Sequence, residues 1–197
     1  MPERRTASLQ RDTAETKISV VLDIDGSGES EISTGIPFFD HMLTLFGRHS
    51  LCDLKVEADG DIEVDYHHTV EDVGIVLGSC FREALGDKRG ISRYGWALLP
   101  MDETLSRVAI DFGGRPYLEF RAPSDVESIR GFSFRLVEEF LRAFSNNAAA
   151  NVHVEVLYGR DAHHMAESIF KGLAKAVDLA ARHDPRVTGV PSTKETL

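Results

Sequence analysis

The chain carries the same pattern twice. Setting His67 against His163, 96 positions later, aligns HHTVEDVGIVLGSCFREAL with HHMAESIFKGLAKAVDLAA. In both segments apolar residues recur every three or four positions, which is the period of an amphipathic helix. After a two-residue shift, FDHMLTLF from Phe39 falls against VEEFLRAF from Val137, again with helical spacing. Between those helices each half has one alternating run, LCDLKVEA in the first and NVHVEVLY in the second, as a half-buried strand requires. A duplication decides which positions correspond, so it precedes every later inference.

Further strand candidates open the halves: KISVVLDID and GESEIST in the first, LSRVAIDF and PYLEFRA in the second. DIDGSGE reads as the turn of a hairpin. The expected class is α+β, internally duplicated. Residues 10–90 and 91–185 form two pseudo-equivalent halves, each a small, mainly antiparallel sheet with two helices. Ahead of them, MPERRTASLQRDTAETK has several charges and no apolar stretch, which predicts a short frayed arm and neither signal peptide nor membrane anchor. Residues 186–197 carry a Ser-Thr-Lys group with little periodicity, and such a tail is either frayed or folded over something.

Composition narrows the partners. A 197-residue chain with 42% apolar and 27% charged residues is an ordinary globular one. Its net charge of −10 lacks the clustered Lys and Arg that nucleic-acid binding leaves behind, so a bound phosphate should be small and locally held. The two cysteines, Cys52 and Cys80, fit a reducing cytoplasm better than a disulfide framework.

With 8 histidines in the chain, chance supplies about 0.03 copies of the order His-His-x-x-Glu, and two copies in register need a cause. On a helix, residues three or four apart share a face, whereas adjacent residues diverge by about 100°. Each helix can therefore offer its Glu and one His to one ion, lending the other His to a second. The nominated groups are His67, His68 and Glu71 in the first half, and His163, His164 and Glu167 in the second. The same alignment places His41 opposite Glu139, a third donor from each half. Imidazole and carboxylate without thiolate suit Mn²⁺, Fe²⁺ or Zn²⁺. Lys171 lies four residues beyond Glu167 and continues the same stripe, while Asp102 and Glu103 in MDETLSR stand at a strand entrance, to orient a substrate or cap a turn.

Together, STGIPFFDHMLTLFGRH, DYHHTVEDVGIVLG, GISRYGWALLPMDETLSRVAIDFGGRPY, HVEVLYGRDAHHMAESIFKGLAKA and VPSTK resemble the imidazoleglycerol-phosphate dehydratases of histidine biosynthesis. The resemblance implies a duplicated fold of the type named for the second domain of a small-subunit ribosomal protein. It also implies a cytoplasmic 24-subunit homo-oligomer, with two Mn²⁺ per subunit at subunit contacts. By position, the ligands would be His41, His67, His68, Glu71, Glu139, His163, His164 and Glu167. Many members carry His where this chain has Glu139, and a carboxylate can take that place. The resemblance also points to Glu15 and Glu167 as acid and base, and to Arg93, Arg115, Lys171, Ser192 and Lys194 as holders of substrate phosphate. The implied chemistry is loss of water from a glycerol phosphate, driven by a metal-bound imidazolate ring. A dimetal hydrolase and a metal-storing cage are the competing readings of the same ligands.

Overall fold

The computed structural model describes residues 4–123, 126 and 128–197. The first half runs β1 (Thr6–Asp12), β2 (Thr16–Asp23), β3 (Ser30–Ser33), α1 (Pro37–Ser50), β4 (Asp53–Gly60) and α2 (His67–Leu85). The second repeats it as β5 (Tyr94–Met101), β6 (Thr104–Asp111), β7 (Tyr117–Arg121), α3 (Arg135–Ala148), β8 (Asn151–Tyr158) and α4 (Ala162–Ala181). Strand order is β1-β2-β4-β3 in one sheet and β5-β6-β8-β7 in the other. In each sheet one pairing is parallel, β3 with β4 or β7 with β8, and the other two are antiparallel. The duplication is thus complete at the level of topology.

Two expectations need correction, and one strand is added to them. The N-terminal segment is no frayed arm: Thr6–Asp12 pairs residue for residue with β2 and buries Ala7, so the first half begins before residue 10. Its counterpart β5 also went unread. Both are edge strands, where polar residues are tolerated and where Pro100 forfeits no ladder bond. DIDGSGE, finally, makes no hairpin, because β4 lies between β2 and β3. Asp53, at the start of β4, accepts N–H bonds from Ser27 and Glu29 and so holds that connection across the end of the sheet.

Each helix pair lies on one face of its own sheet, and the two pairs meet in the middle, α1 against α4 and α2 against α3. Alternation supplies the inner faces: Ile18, Val20 and Leu22 of β2 and Val108 and Ile110 of β6 are buried. Gly74 and Gly78 let α2 approach α3, since a Cβ there would lie 2.8 Å from the Phe140 carbonyl oxygen and 2.6 Å from that of Phe144. Gly74 facing Phe140 and Gly78 facing Phe144 make the helices parallel, with their N-terminal ends side by side.

The outer faces differ. Lys17, Ser19, Lys55, Glu57 and Asp59 dominate the first, whereas Trp96 and Leu98 stand 67% and 62% exposed on the second. Cys52 and Cys80 are free and buried, and burial pushes each thiol up to about 12. Among the described residues no helix is long and apolar enough to cross a membrane.

Candidate metal centre

Helix α4 begins at Ala162, with the Asp161 side chain accepting the His164 N–H at 3.1 Å. That cap sets His163 and Glu167 four residues apart on the face turned to α1, where His41 occupies the second turn. His41 Nε2 lies 2.8 Å and His163 Nε2 3.0 Å from Glu167 Oε1. Among the described residues, these are the one group of three imidazole or carboxylate donors that converges, all within 4.8 Å. Lys171, one turn further, approaches the other carboxylate oxygen, Oε2, at 2.5 Å.

Glu167 is buried, but the imidazoles of His41 and His163 are 45% and 43% exposed, leaving the group open on one side. Burial pushes the Glu167 carboxyl up. Hydrogen bonds from Lys171, His41 and His163 outweigh it and bring the group down to about 2. The site therefore presents a fixed anion between two imidazoles, a donor set suited to a divalent cation.

The neighbouring His164 turns away, its ring 83° from that of His163. Its Nδ1 sits 2.7 Å from Glu103 Oε2, and Glu103 Oε1 accepts the N–H groups of Arg160 and Asp161 at 3.2 and 3.0 Å. The hydrogen bond to Glu103 raises the His164 imidazole above its ordinary value. Glu103 itself is lowered, first by the Asp161 N–H and then by His164.

In the first half, His67 and His68 diverge equally, at 82°. His67 Nε2 is 3.9 Å from Glu71, while His68 Nδ1 is held by Asp61 Oδ2 at 3.0 Å, with Glu15 Oε2 at 3.7 Å. Helical geometry thus settles a point the spacing left open: the His that shares a face with each Glu is the one four residues before it. Glu139 holds the position on α3 that His41 holds on α1, and it is half-buried beside α2, yet His67, Glu71 and Glu139 do not close as tightly as their counterparts. Sequence reasoning missed Asp61, one acid among several in ADGDIEVDYHH with no local mark of its role.

The residues nominated for phosphate do not meet within one chain. Arg93 donates to Asp111 through Nε and Nη2, at 2.7 and 3.1 Å, and to the Pro191 carbonyl through Nη1 at 2.8 Å. The tail therefore folds back, with the Gly90 N–H bonded to the Gly189 carbonyl. Ser192, Lys194 and the exposed Arg115 lie toward this end, the Gly114 turn abutting Leu197. Lys171 sits at the far end of β5, 3.5 Å from Met101. Eight residues of extended chain separate Arg93 from Met101, about 26 Å at a strand's rise of about 3.3 Å per residue.

The family model for imidazoleglycerol-phosphate dehydratase matches residues 34–177, which include His41, both histidine pairs, Glu139 and Lys171. The chain belongs to this family. The imidazoleglycerol-phosphate dehydratase of Akkermansia muciniphila is 58% identical over 195 residues, spanning 98% of this chain and all of that relative. That of Methylorubrum extorquens is 57% identical over 194 residues, at 98% and 100% coverage. Among solved structures, the Staphylococcus aureus imidazoleglycerol-phosphate dehydratase superposes with a TM-score of 0.82 at 40% identity, covering 91% of this chain and 99% of that one. The Pyrococcus furiosus dehydratase superposes at 0.83 and 34% identity, with 96% and 100% covered. As a member of this dehydratase family the chain is a hydro-lyase, and its α+β duplication is the family's fold.

Proposed function

We propose that this chain dehydrates D-erythro-imidazoleglycerol phosphate to imidazole-acetol phosphate in histidine biosynthesis. In this reading it works in the cytoplasm with two Mn²⁺ per subunit, as a 24-subunit homo-oligomer whose metal sites lie at subunit contacts. The observation that carries the reading is the open His41, His163 and Glu167 group in a chain of this family. Its two imidazole nitrogens and one carboxylate oxygen fit a borderline-hard cation, and the open side leaves room for further donors. His67, Glu71 and Glu139, with His68 and His164, would supply the remainder.

The hydrogen leaving C2 of the substrate is next to no carbonyl, so ordinary enolate stabilisation does not apply. Bound Mn²⁺ would supply Lewis acidity to the ring nitrogens, favouring the imidazolate that expels the C3 hydroxyl. The chain's own part is to place the base and hold the phosphate. Glu15, 3.7 Å from His68 and 56% exposed, is free to take the C2 proton, whereas Glu167 already receives three hydrogen bonds. Arg93, spent on Asp111 and Pro191, fixes the tail that carries Ser192 and Lys194, and these with Arg115 form the cationic end.

Two features support assembly. Lys171 and the Arg93 cluster stand at opposite ends of β5, so a substrate touching both needs residues from two copies. The outer face of the second sheet exposes Trp96, Leu98 and Tyr117, while its charges neutralise one another as Arg107 with Glu155 and Arg121 with Glu119. An apolar, self-neutral face suits another copy of the same chain. Trp96→Glu should lower the particle mass measured by light scattering without loss of helix content, and an unchanged mass would remove this face from the assembly.

Metal content per chain, read together with turnover after chelation and after Mn²⁺ is restored, tests the whole reading. About two ions and a ketone product that vanish and return together support it. Release of inorganic phosphate without ketone would overturn it in favour of a hydrolase.

A further inference from the structure

The two halves each place a glutamate before the same buried threonine. Glu15 precedes Thr16, the first residue of β2, and Glu103 precedes Thr104, the first residue of β6. Both threonines are buried, and both glutamates face the second histidine of their half's pair, His68 or His164. The spacing between these equivalents, 88 residues, differs from the 96 of the histidines, which is why the correspondence escapes a single alignment.

What differs is the commitment of the two carboxylates. In the first half Asp61, the residue after β4, takes His68 Nδ1 at 3.0 and 3.2 Å, and Glu15 remains at 3.7 Å, outside hydrogen-bond reach. In the second half the residue after β8 is Gly159, which has no side chain to offer. There Glu103 closes on His164 Nδ1 at 2.7 Å. Its other oxygen is occupied by the N–H groups of Arg160 and Asp161 and the Thr104 hydroxyl, at 3.2, 3.0 and 3.1 Å. The side chain is correspondingly 26% exposed, against 56% for Glu15.

We propose that Glu103 is a positioning residue that fixes the ring and tautomer of His164, and that Asp61 does the same for His68, which leaves Glu15 alone of the duplicated pair free for proton transfer. A neutral imidazole has one N–H and one lone pair. A carboxylate at Nδ1 holds the proton there and turns the Nε2 lone pair outward, the form that binds a cation. Glu103 also ties the Arg160–Asp161 segment, and Asp161 caps α4 through the His164 N–H, so ring and helix end are set by one side chain. After duplication the two halves have thus solved the same problem differently. Where an aspartate follows the strand the glutamate is released, and where glycine follows it the glutamate is consumed.

This inference rests on the metal reading above, and its first readout needs no turnover. Glu103→Gln and Asp61→Asn should each weaken Mn²⁺ binding, measured by calorimetry without substrate, by about 10- to 100-fold. They should raise the Mn²⁺ concentration for half-maximal turnover in proportion, with kcat largely recovered at saturating metal. Glu15→Gln should do the reverse, leaving Mn²⁺ affinity within about 3-fold and lowering kcat at saturating metal by about 10²–10⁴-fold. Mn²⁺ affinity within 3-fold of the parent in both positioning variants would overturn the assignment. A kcat for Glu103→Gln that stays low at saturating Mn²⁺ would overturn it too, by making Glu103 a catalytic residue. If no variant binds differently because the parent binds no Mn²⁺, the metal reading fails first, and that result is distinguishable from either.

Discussion

Glu167→Gln should strip one ion per chain from the purified protein and, through the lost metal donor, lower turnover by at least about 10²-fold. The substitution changes hardly any volume, so it isolates charge and acceptor capacity. Glu167 Oε1 serves His41 and His163 at once, and Oε2 serves Lys171. A glutamine amide replaces one of these acceptors with a donor, and the neutral group cannot balance a lysine that is only 18% exposed. The stability cost of leaving that ammonium poorly paired is about 1–3 kcal/mol, too little to unfold a typical domain. The expected pattern is a folded protein, short of metal and nearly inactive, by elemental analysis, circular dichroism and assay. Full metal content with full turnover would refute the site.

Gly95→Ala should damage the fold rather than the chemistry. β5 is pressed so closely on α4 that an added Cβ would lie 1.8 Å from the Ala176 carbonyl oxygen and 2.8 Å from the Ala180 nitrogen. Both are helix backbone, so no rotamer change relieves the overlap. Either β5 retreats and loses the Gly95–Ile110 register with β6, or α4 shifts and carries His163 and Glu167 with it. Core overpacking costs about 1–3 kcal/mol where side chains can yield, and this site should exceed that range. The midpoint of denaturant unfolding should fall well below the parent's. Gly189→Ala, which meets open space, should stay within about 0.5 kcal/mol of it. Equal midpoints for Gly95→Ala and the parent would show that the strand has slack the structure does not display.

Much of the architecture was legible in the residues because it is local. The helices announced themselves by apolar spacing, and His163 with Glu167 had to share a face because four residues make about one turn. Central strands β2, β4, β6 and β8 were readable through alternation, since each buries one face and shows the other. Of the four edge strands, β3 and β7 were readable in GESEIST and PYLEFRA, but β1 and β5 were not: β1 carries Thr6, Ser8 and Gln10 outward and β5 ends near Pro100, a pattern that imitates an unstructured arm or a loop. The supposed hairpin failed because a turn motif specifies that the chain reverses, not which strand it then pairs with.

Local periodicity therefore established the duplication, the helices and the sharing of a face between each glutamate and one histidine of its pair, all of which depend on backbone geometry over a few residues, while the structure showed that this histidine is the one four residues before it. Which helices lie together is a different kind of fact. His41 meets Glu167 across 126 residues because the two halves pack helix layer to helix layer, and α1 faces α4 rather than α2. The capture of His164 by Glu103 and of His68 by Asp61 likewise depends on which loop ends beside which helix N-terminus. The separation of Lys171 from the Arg93 cluster has the same origin, being set by the length of β5 laid along α4. Burial of apolar surface decides those placements over the whole molecule at once, and no short stretch of sequence carries that sum.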